Sequence, residues 1–428
     1  MVIPKQAENL REAYNIFDHT TPLQGAWFDT FYIERPTLDV PKLRLDLQDD
    51  ERETSKRLFT GHRGSGKSTE LIRLANELSS QYFTVYYTIE ETLDLADLDY
   101  KDVLLSLGSE LYKAAKSRKL KLSPALLSDL VGWFSTTLRE VEEDIAADAE
   151  LETKADFFFI KLLSRLKSEV HTRDIVRRQI ESNLSDLLKC INAIIEEIRK
   201  QQDNRQILVI IDGLDKVYDL DTVMKVYYSG GLNLLLPQCK IIYTVPLALF
   251  YTSQFGQVRA TFDDFFVLPN IKIQHRDGTP EKEGLNVLTR LINVRIKPEL
   301  ITPDALKELI RLSGGLIRDL IYLAKDASSN ARVRQGERIE QRDVNRAANK
   351  IRNVYRTMLK PEEYKELIYI YNNPSKQPFS NAIAQKLVHN LSLIEYRNEG
   401  TWWDVHPVVV PLLSEHDTAS TNTSGSAT

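Results

Sequence analysis

Residues 61–68 have the residue types and the spacing needed to hold a phosphate chain. They read GHRGSGKS and fit the pattern G-x-x-x-x-G-K-S/T at every fixed position. The glycines let the backbone turn its N–H groups inward. Lys67 can reach the β- and γ-phosphates, and the Ser68 hydroxyl can ligate Mg²⁺. The predicted nucleotide contacts are Gly61, His62, Arg63, Gly64, Ser65, Gly66, Lys67, Ser68 and Thr69.

A glycine-rich turn that binds nothing is the alternative interpretation of this segment. The context favours the phosphate site, because residues 57–60 are predicted as a strand and residues 68–80 as a helix with its leucines on one face. Such a helix directs the positive end of its dipole at a phosphate. We therefore predict a site for a nucleoside triphosphate with Mg²⁺.

A second segment carries the carboxylates that such a site requires. Residues 207–211 are an apolar run, which is typical of a parallel strand buried on both faces, and Asp212 follows directly. At this strand tip Asp212 would hold the magnesium. Asp215 is a candidate to polarise the attacking water, although an aspartate in this loop can instead cap a helix.

The elements around these motifs alternate between strands and helices, which predicts a three-layer α/β domain with a parallel sheet. Residues 97–203 are helical by pattern and would be an insertion in that domain. Apolar residues from Ile180 to Ile198 repeat in heptad spacing, which predicts a helical hairpin within the chain or, alternatively, a short dimer seam. The predicted strands cover residues 57–60, 82–89, 207–211, 240–245 and 265–273.

Composition restricts the class of protein. A chain of 428 residues with 42% hydrophobic and 27% charged residues is expected to fold into two or three globular domains. Its net charge of −5 gives no overall attraction to nucleic acid or membrane. Cys190 and Cys239 form no C-x-x-C pair, which fits a reducing cytosol. No apolar run is long enough for a signal peptide or a bilayer span, so we predict a cytoplasmic protein without a membrane partner.

Together, the two motifs resemble those of P-loop ATPases of the AAA+ and STAND group. Residues 209–216, VIIDGLDK, are similar to the STAND form of the magnesium-binding strand, but Lys216 stands where a glutamate often follows. The strand KIIYTVP resembles the one that places a polar residue, here Thr244, near the γ-phosphate. Residues 313–320, SGGLIRDL, resemble the lid motif of the origin-recognition type, which implies that Arg318 reaches the γ-phosphate.

The resemblance implies that an arginine from a neighbouring subunit completes the site. Arg259 is the first candidate and Arg276 the second, and either could instead be a solvated charge. Arg318 likewise has an alternative as a surface residue paired with Asp319 or Glu308. The family also implies ATP and Mg²⁺ as the ligands, and the absence of a guanine-reading N-K-x-D motif favours ATP over GTP.

The C-terminal part resembles a winged helix, in which the turn around Asn398 and Gly400 would be the wing. Residues 361–412 hold four Lys/Arg and six Asp/Glu, which favours packing on the ATPase core over DNA binding. Of Trp402 and Trp403, one would face inward and pack on the core, and the other would face outward toward a partner. The predicted domains are an N-terminal segment of unclear fold (1–55), a P-loop ATPase core (56–275) with its helical insertion (97–203), a helical lid (280–356), a winged helix (358–413) and a disordered tail (414–428).

The lid differs in charge from the rest of the chain. Residues 331–356 carry eight Lys/Arg against three Asp/Glu, and Arg342, Arg346 and Lys350 share one helix face. This face could meet nucleic acid or an acidic partner, but such a run is more often a solvated surface.

The motifs and the resemblance together predict an ATP-binding and ATP-hydrolysing switch. Nucleotide would control self-association or the binding of a partner protein, and by analogy the setting would be prokaryotic phage defence or signalling. We expect no small-molecule substrate beyond ATP, and nucleic acid is not the favoured partner. Two alternatives are a DNA-binding AAA+ loader or remodeller and a nucleotide-bound scaffold that hardly hydrolyses.

Overall fold

A computed structural model describes residues 4–137, 150–168, 170–373, 377, 381–397 and 400–423. The strands are β1 (Ser55–Gly61), β2 (Phe83–Thr88), β3 (Ile207–Asp212), β4 (Lys240–Thr244), β5 (Asp264–Leu268), β6 (Leu393–Arg397) and β7 (Thr401–Val405). Five of them form one parallel sheet in the order β2-β3-β4-β1-β5. The predicted α/β fold with a parallel sheet is therefore confirmed.

The helices divide into those that cover the sheet, those of the insertion and those of the lid and C-terminal part. The helices are α1 (Leu10–Ile16), α2 (Ala26–Phe31), α3 (Asp39–Asp49), α4 (Lys67–Glu77), α5 (Tyr100–Ser117), α6 (Pro124–Thr137), α7 (Leu151–Ser168), α8 (Val170–Ser182), α9 (Leu184–Lys200), α10 (Leu220–Met224), α11 (Gly231–Leu234), α12 (Phe255–Thr261), α13 (Lys282–Asn293), α14 (Pro303–Ser313), α15 (Ile317–Val333), α16 (Gln341–Met358), α17 (Pro361–Asn372), α18 (Asn381–His389) and α19 (Val410–Thr423).

Helices cover both faces of the parallel sheet. On one face α3 and α4 bury Leu43 and Leu74 against Ile210 of β3. On the other face α5 and α9 belong to the same apolar core as Val209 of β3. Because parallel strands are buried on both faces, the central strand reads as the continuous apolar run at 207–211.

The insertion packs within the chain. Its heptad pattern spans two helices, because α8 ends at Ser182 and α9 begins at Leu184. Ile180 and Ile191 are buried in the core beneath the sheet, and Ile191 lies against Gly108 of α5. The seam is therefore occupied by the chain itself, as the helical-hairpin alternative predicts.

One predicted strand is too long. Sequence pattern extended it over 265–273, but β5 ends at Leu268. Pro269 follows and has no backbone N–H to continue the ladder. The next residues lead into the lid, where the carbonyl of Ile271 approaches Gly315 so closely that a side chain at that glycine would clash.

The lid consists of α13 to α16, and α1 of the N-terminal segment packs against α15. Two of the three cations predicted to share a face of α16 are in ion pairs, Arg342 with Glu340 at 3.0 Å and Lys350 with Asp326 at 3.1 Å. This pairing supports the solvated-surface interpretation for most of that face.

The C-terminal domain (residues 358–413) has the predicted order of helix, helix, hairpin and closing helix. Both tryptophans contact residues of this chain: Trp402 is buried and stacks on Tyr396, and Trp403 donates to the hydroxyl of Tyr251. The prediction that one of the two faces outward toward a partner is thus wrong, because Trp403 is half-buried against this chain. Asn398 of the predicted wing lies outside the described residues.

The last helix, α19, extends to Thr423 and enters the segment from residue 414 that composition predicts to be disordered. The helix is anchored before that segment, where Leu412 and Leu413 are buried in the C-terminal core. Among the described residues, no helix combines the length and the apolarity needed to cross a bilayer.

Candidate nucleotide-binding site

The loop between β1 and α4 has the backbone of a phosphate-binding loop. Gly64 and Gly66 have φ angles of 81° and 96°, which side-chain-bearing residues rarely adopt. A Cβ on Gly64 would lie 2.6 Å from the Cβ of Arg318. Glycine is therefore required here both for the turn and for the close approach of the lid.

Lys67 and Asp215 form a buried ion pair at the centre of the site. The two side chains are each 5% exposed, and the Lys67 Nζ to Asp215 Oδ2 distance is 2.8 Å. The same ammonium donates to the carbonyls of Gly61 and His62 at 2.9 and 2.7 Å. Asp215 Oδ1 is buried and has no hydrogen-bond partner in the described part of the chain. The aspartate thus faces the phosphate loop, as the catalytic interpretation requires.

Asp212 lies at the tip of β3, deeper than Asp215. It accepts hydrogen bonds from the hydroxyl of Tyr86 and from the Gly213 N–H, both at 2.8 Å. Burial, reinforced by the charge of Asp215, raises the pKa of the Asp212 carboxyl, and hydrogen bonding from Ser68 and Tyr86 opposes that rise. The hydroxyl of Ser68 and the carboxylate of Asp212 are thus brought together.

These two groups fit Mg²⁺, which prefers hard oxygen ligands. Ser68 and Asp212 would hold the ion together with phosphate oxygens of the nucleotide. Binding of the cation would favour the ionised form of Asp212, against the effect of burial.

The lid supplies an arginine to the pocket. The backbone N–H of Arg318 donates to the carbonyl of Gly64 at 3.0 Å, and its side chain lines the same pocket as Lys67 and Ser68. Burial, with Arg63 nearby, lowers the pKa of the Arg318 guanidinium, although an arginine remains charged at neutral pH. Arg63 also lines this pocket. The structure therefore brings Arg318 and Arg63 into one pocket with Lys67, and their contact with a phosphate stays a prediction.

Thr244 has a different place from the one that the resemblance implied. Its hydroxyl accepts a hydrogen bond from the Leu214 N–H at 3.0 Å and donates to the carbonyl of Ile211 at 3.1 Å. The side chain is fully buried and does not line the pocket. The hydroxyl donates its single proton to Ile211, so it has no donor left for a phosphate oxygen. Thr244 instead fixes the turn that carries Asp215.

The two arginines considered for a neighbouring subunit lie outside this pocket. Arg259 is exposed on α12, where its guanidinium is 5.3 Å from the centre of the Phe265 ring. Arg276 lines a separate groove beside β7. A role in another subunit's site stays a prediction for both.

His62 was predicted to contact nucleotide, but its ring turns toward the C-terminal domain. Its Nε2 accepts a hydrogen bond from the Glu395 N–H of β6 at 2.7 Å, and the side chain is buried. Burial and the nearby Lys67 ammonium lower the pKa of His62 to about 3, so the ring is neutral at physiological pH. This contact is a direct link between the phosphate loop and the C-terminal domain.

The N-terminal segment forms one wall of the pocket, which sequence reasoning missed. Residues 18–23 line it together with Tyr32, Ile33 and Arg35. The Leu23 N–H donates to the hydroxyl of Thr69 at 3.2 Å, and buried Arg35 donates to the carbonyls of Ser65 and Pro269. No sequence signal marks these residues, because irregular segments carry no periodicity and their partners lie far along the chain.

No protein-family model matches the chain, and no curated protein matches its sequence. Its fold is similar to those of several solved structures. A Walker-type ATPase of Pyrococcus abyssi has 17% identity and a TM-score of 0.47, with 93% of this chain and 99% of that chain covered. Cdc6p of Pyrobaculum aerophilum has 10% identity and a TM-score of 0.43, with 94% and 98% covered.

The ORC1 protein of Aeropyrum pernix, solved in complex with DNA, has 14% identity and a TM-score of 0.41, with 91% of this chain and 95% of that chain covered. With TM-scores below 0.5, none of these chains assigns a function to this one.

Proposed function

We propose that this protein binds ATP with Mg²⁺ and hydrolyses it, as a nucleotide-dependent switch of the AAA+ type. One observation carries the proposal: Lys67, Ser68, Asp215 and Arg318 of the lid line one pocket, and Asp212 at the tip of β3 adjoins Ser68. Cations and backbone N–H groups in the pocket lining suit a phosphate chain. Apolar side chains in the same lining suit a base, and they are Leu23, Ile33, Leu291, Ile317 and Ile321.

The residues of the site have separable roles. Lys67 would leave Asp215 to contact the β- and γ-phosphates, which frees the Asp215 carboxylate to orient a water for attack. The buried Oδ1 of Asp215, which has no protein partner in the described chain, offers an acceptor for that water. Arg318 would stabilise the charge that develops on the γ-phosphate. Bound Mg²⁺ supplies neutralisation of the phosphate oxygens.

The contacts around the phosphate loop support a switch in addition to a catalytic role. The lid contacts the loop at Gly64 and the C-terminal domain contacts it at His62. A change in loop conformation on nucleotide exchange would therefore alter both contacts. The output would be self-association or the binding of a partner protein. A role in phage defence stays a prediction from analogy alone.

Turnover per subunit, measured over a range of protein concentrations, tests the proposal. We expect ATP hydrolysis in the wild type and none in Lys67→Ala, because the lysine contacts the phosphates that react. Turnover that rises with concentration would indicate a site completed between subunits, and Arg259→Ala would then abolish the rise. A wild type that retains nucleotide without turning it over would support the scaffold alternative.

DNA binding is a second candidate function, and one surface favours it. A groove between the loop after β5 and the hairpin is lined by Lys272, His275, Arg276 and Asp277 on one side and by Gly400, Thr401 and Trp402 on the other. Two of these residues are Lys and Arg against one Asp, a balance that suits a nucleic-acid backbone. We expect duplex-stimulated turnover that declines steeply with salt if this groove is used. No stimulation at low salt would exclude it.

A further inference from the structure

Lys216 stands in the same turn as Asp215, immediately after β3. The turn is fixed by its own backbone, since the Lys216 N–H donates to the Gly213 carbonyl at 3.1 Å, and by Thr244, which holds the Leu214 N–H. The two neighbouring side chains of this turn make different ion pairs. Asp215 pairs with Lys67 of the P-loop, and Lys216 pairs with Glu90, which follows β2.

The two ion pairs differ in exposure. The Lys67 and Asp215 side chains are each 5% exposed, whereas those of Lys216 and Glu90 are 25% and 38% exposed. Lys216 lines the nucleotide pocket and Glu90 does not. The ammonium therefore has a partner outside the pocket while its side chain borders the pocket itself.

The position of Lys216 corresponds to the terminal phosphate. Lys67 is the residue that reaches the β- and γ-phosphates, and Asp215 contacts it directly. The remaining walls of the pocket are formed by the N-terminal segment and by Ile317 and Ile321 of the lid. A residue next to Asp215 is consequently close to the end of a bound triphosphate.

The negative charge of a γ-phosphate would attract the Lys216 ammonium away from Glu90. A γ-phosphate would enter a region that already holds the carboxylates of Asp212, Asp215 and Glu90. Lysine is a flexible point charge with three donors, and its hydrogen bonds to phosphate are charge-assisted. A partly exposed pair with a single carboxylate is weakly held. A phosphate can therefore replace Glu90 as the partner of this ammonium.

We propose that Lys216 senses the γ-phosphate: its ammonium leaves Glu90 and binds the terminal phosphate of a bound triphosphate. This inference rests on the proposed function, because it requires nucleotide in this pocket. It assigns to one chain a means of distinguishing ATP from ADP that needs no residue from a neighbouring subunit. Glu90 is then the competitor that holds the lysine when only a diphosphate is present.

The test compares affinities for ADP and for a non-hydrolysable imido analogue of ATP, each with Mg²⁺, in the full-length chain. We expect Lys216→Met to weaken binding of the triphosphate about tenfold and to change ADP binding less than twofold. Glu90→Gln acts in the opposite direction and tightens the triphosphate, because the competing carboxylate charge is gone. Lys225→Met, an exposed lysine outside the pocket, is the matched control and should change neither affinity.

Three outcomes are decisive. Equal weakening of ADP and triphosphate by Lys216→Met, or no effect on either, overturns the inference. If Lys216→Met does not fold, Glu90→Gln provides an independent test. Weaker triphosphate binding by Glu90→Gln also overturns the inference. Failure of the proposed function looks different: wild type and Lys67→Ala would then bind both nucleotides equally or not at all.

Discussion

The lid and the C-terminal domain both contact the phosphate loop, two residues apart, but in different ways. The lid donates the backbone N–H of Arg318 to Gly64 and places the arginine side chain in the pocket. The C-terminal domain donates the backbone N–H of Glu395 to His62, and none of its described residues lines the pocket. The lid can thus place a side chain against a bound nucleotide, whereas the C-terminal domain can respond only indirectly, through the residues that it contacts.

The two regions are also joined to each other beside the site. The hydroxyl of Tyr396 donates to the Gly314 carbonyl at 2.8 Å, and His406 Nε2 is 2.9 Å from Asp319 Oδ2. Both lid residues flank the segment that carries Arg318. A shift of that arginine toward a phosphate would therefore be transmitted to the C-terminal domain by two routes, through the lid and through the loop.

The largest effect is expected from removing Arg318, the arginine that the lid places in the pocket. Arg318→Ala should lower kcat for ATP hydrolysis about 100-fold, because a cation positioned on developing charge contributes on that scale, while ADP affinity changes little. Arg311→Ala, an exposed lid arginine paired with Glu308, is the control. Steady-state turnover and ADP titration measure the two quantities. Equal loss in both variants would show that lid stability, and not the arginine, matters.

A methyl group added at Gly64 should push the lid residue Arg318 away from the phosphate loop. Gly64→Ala introduces a Cβ 2.6 Å from the Arg318 Cβ at a φ of 81°, so we expect a loss of about 1 to 3 kcal/mol of stability and weaker nucleotide binding. Gly256→Ala is the control, since nothing lies within 4 Å of that position. Thermal unfolding midpoints with and without ATP measure both effects. Similar midpoints for the two variants would contradict the close approach of the lid.

The contact of the C-terminal domain should depend on pH. An unfolded histidine has a pKa near 6.5, and burial holds the pKa of His62 at about 3. The unfolded state therefore binds the proton first, and stability falls as pH decreases from about 6.5 toward 3. Between pH 7 and 5 the loss is about 2 kcal/mol. Urea unfolding followed by tryptophan fluorescence at both pH values measures it.

His62→Gln is the informative variant for that measurement, because an amide oxygen can still accept from Glu395 but does not titrate in this range. We expect this variant to lose about 2 kcal/mol less than the wild type on acidification. His389, whose pKa burial lowers to about 4, titrates in both proteins and cancels in the comparison. An identical pH response in both proteins would exclude His62 as the titrating group.

The smallest expected effect concerns the bond between the two regions. Tyr396→Phe removes only the hydroxyl that donates to Gly314, and it should cost about 1 kcal/mol. Nucleotide affinity should be unchanged, because neither group lines the pocket. Tyr371→Phe, at a tyrosine that is 48% exposed, is the control. A large loss of ATP affinity in Tyr396→Phe would show that the lid depends on the C-terminal domain to hold Arg318.

Local sequence patterns were sufficient to identify the residues at the centre of the candidate site. The glycine spacing located Lys67 and Ser68, the apolar run located Asp212, and the Gly-Gly break located Arg318. These features depend on a few adjacent residues whose backbone geometry is fixed by their type. The parallel sheet followed for the same reason, since buried strands are continuous apolar runs.

The direction in which side chains point could not be predicted. His62 lies within the motif, yet its partner Glu395 is 333 positions away. Thr244 was placed at a strand tip, but its hydroxyl is used by the backbone of a neighbouring strand and turn. Such outcomes depend on tertiary packing, which spacing along one segment does not encode.

The N-terminal wall of the pocket has a consequence for synthesis of the chain on the ribosome. Gln6 hydrogen-bonds to the carbonyl of Ile296, 290 positions later, and Ala7 pairs with the same part of the lid. At elongation rates of about 5 to 20 residues per second, the first residues wait roughly 15 to 60 s for these partners to be made. The phosphate loop emerges well before the lid, and its pocket is complete only after the lid has emerged. A nascent chain therefore carries the glycine-rich motif long before the pocket around that motif is closed.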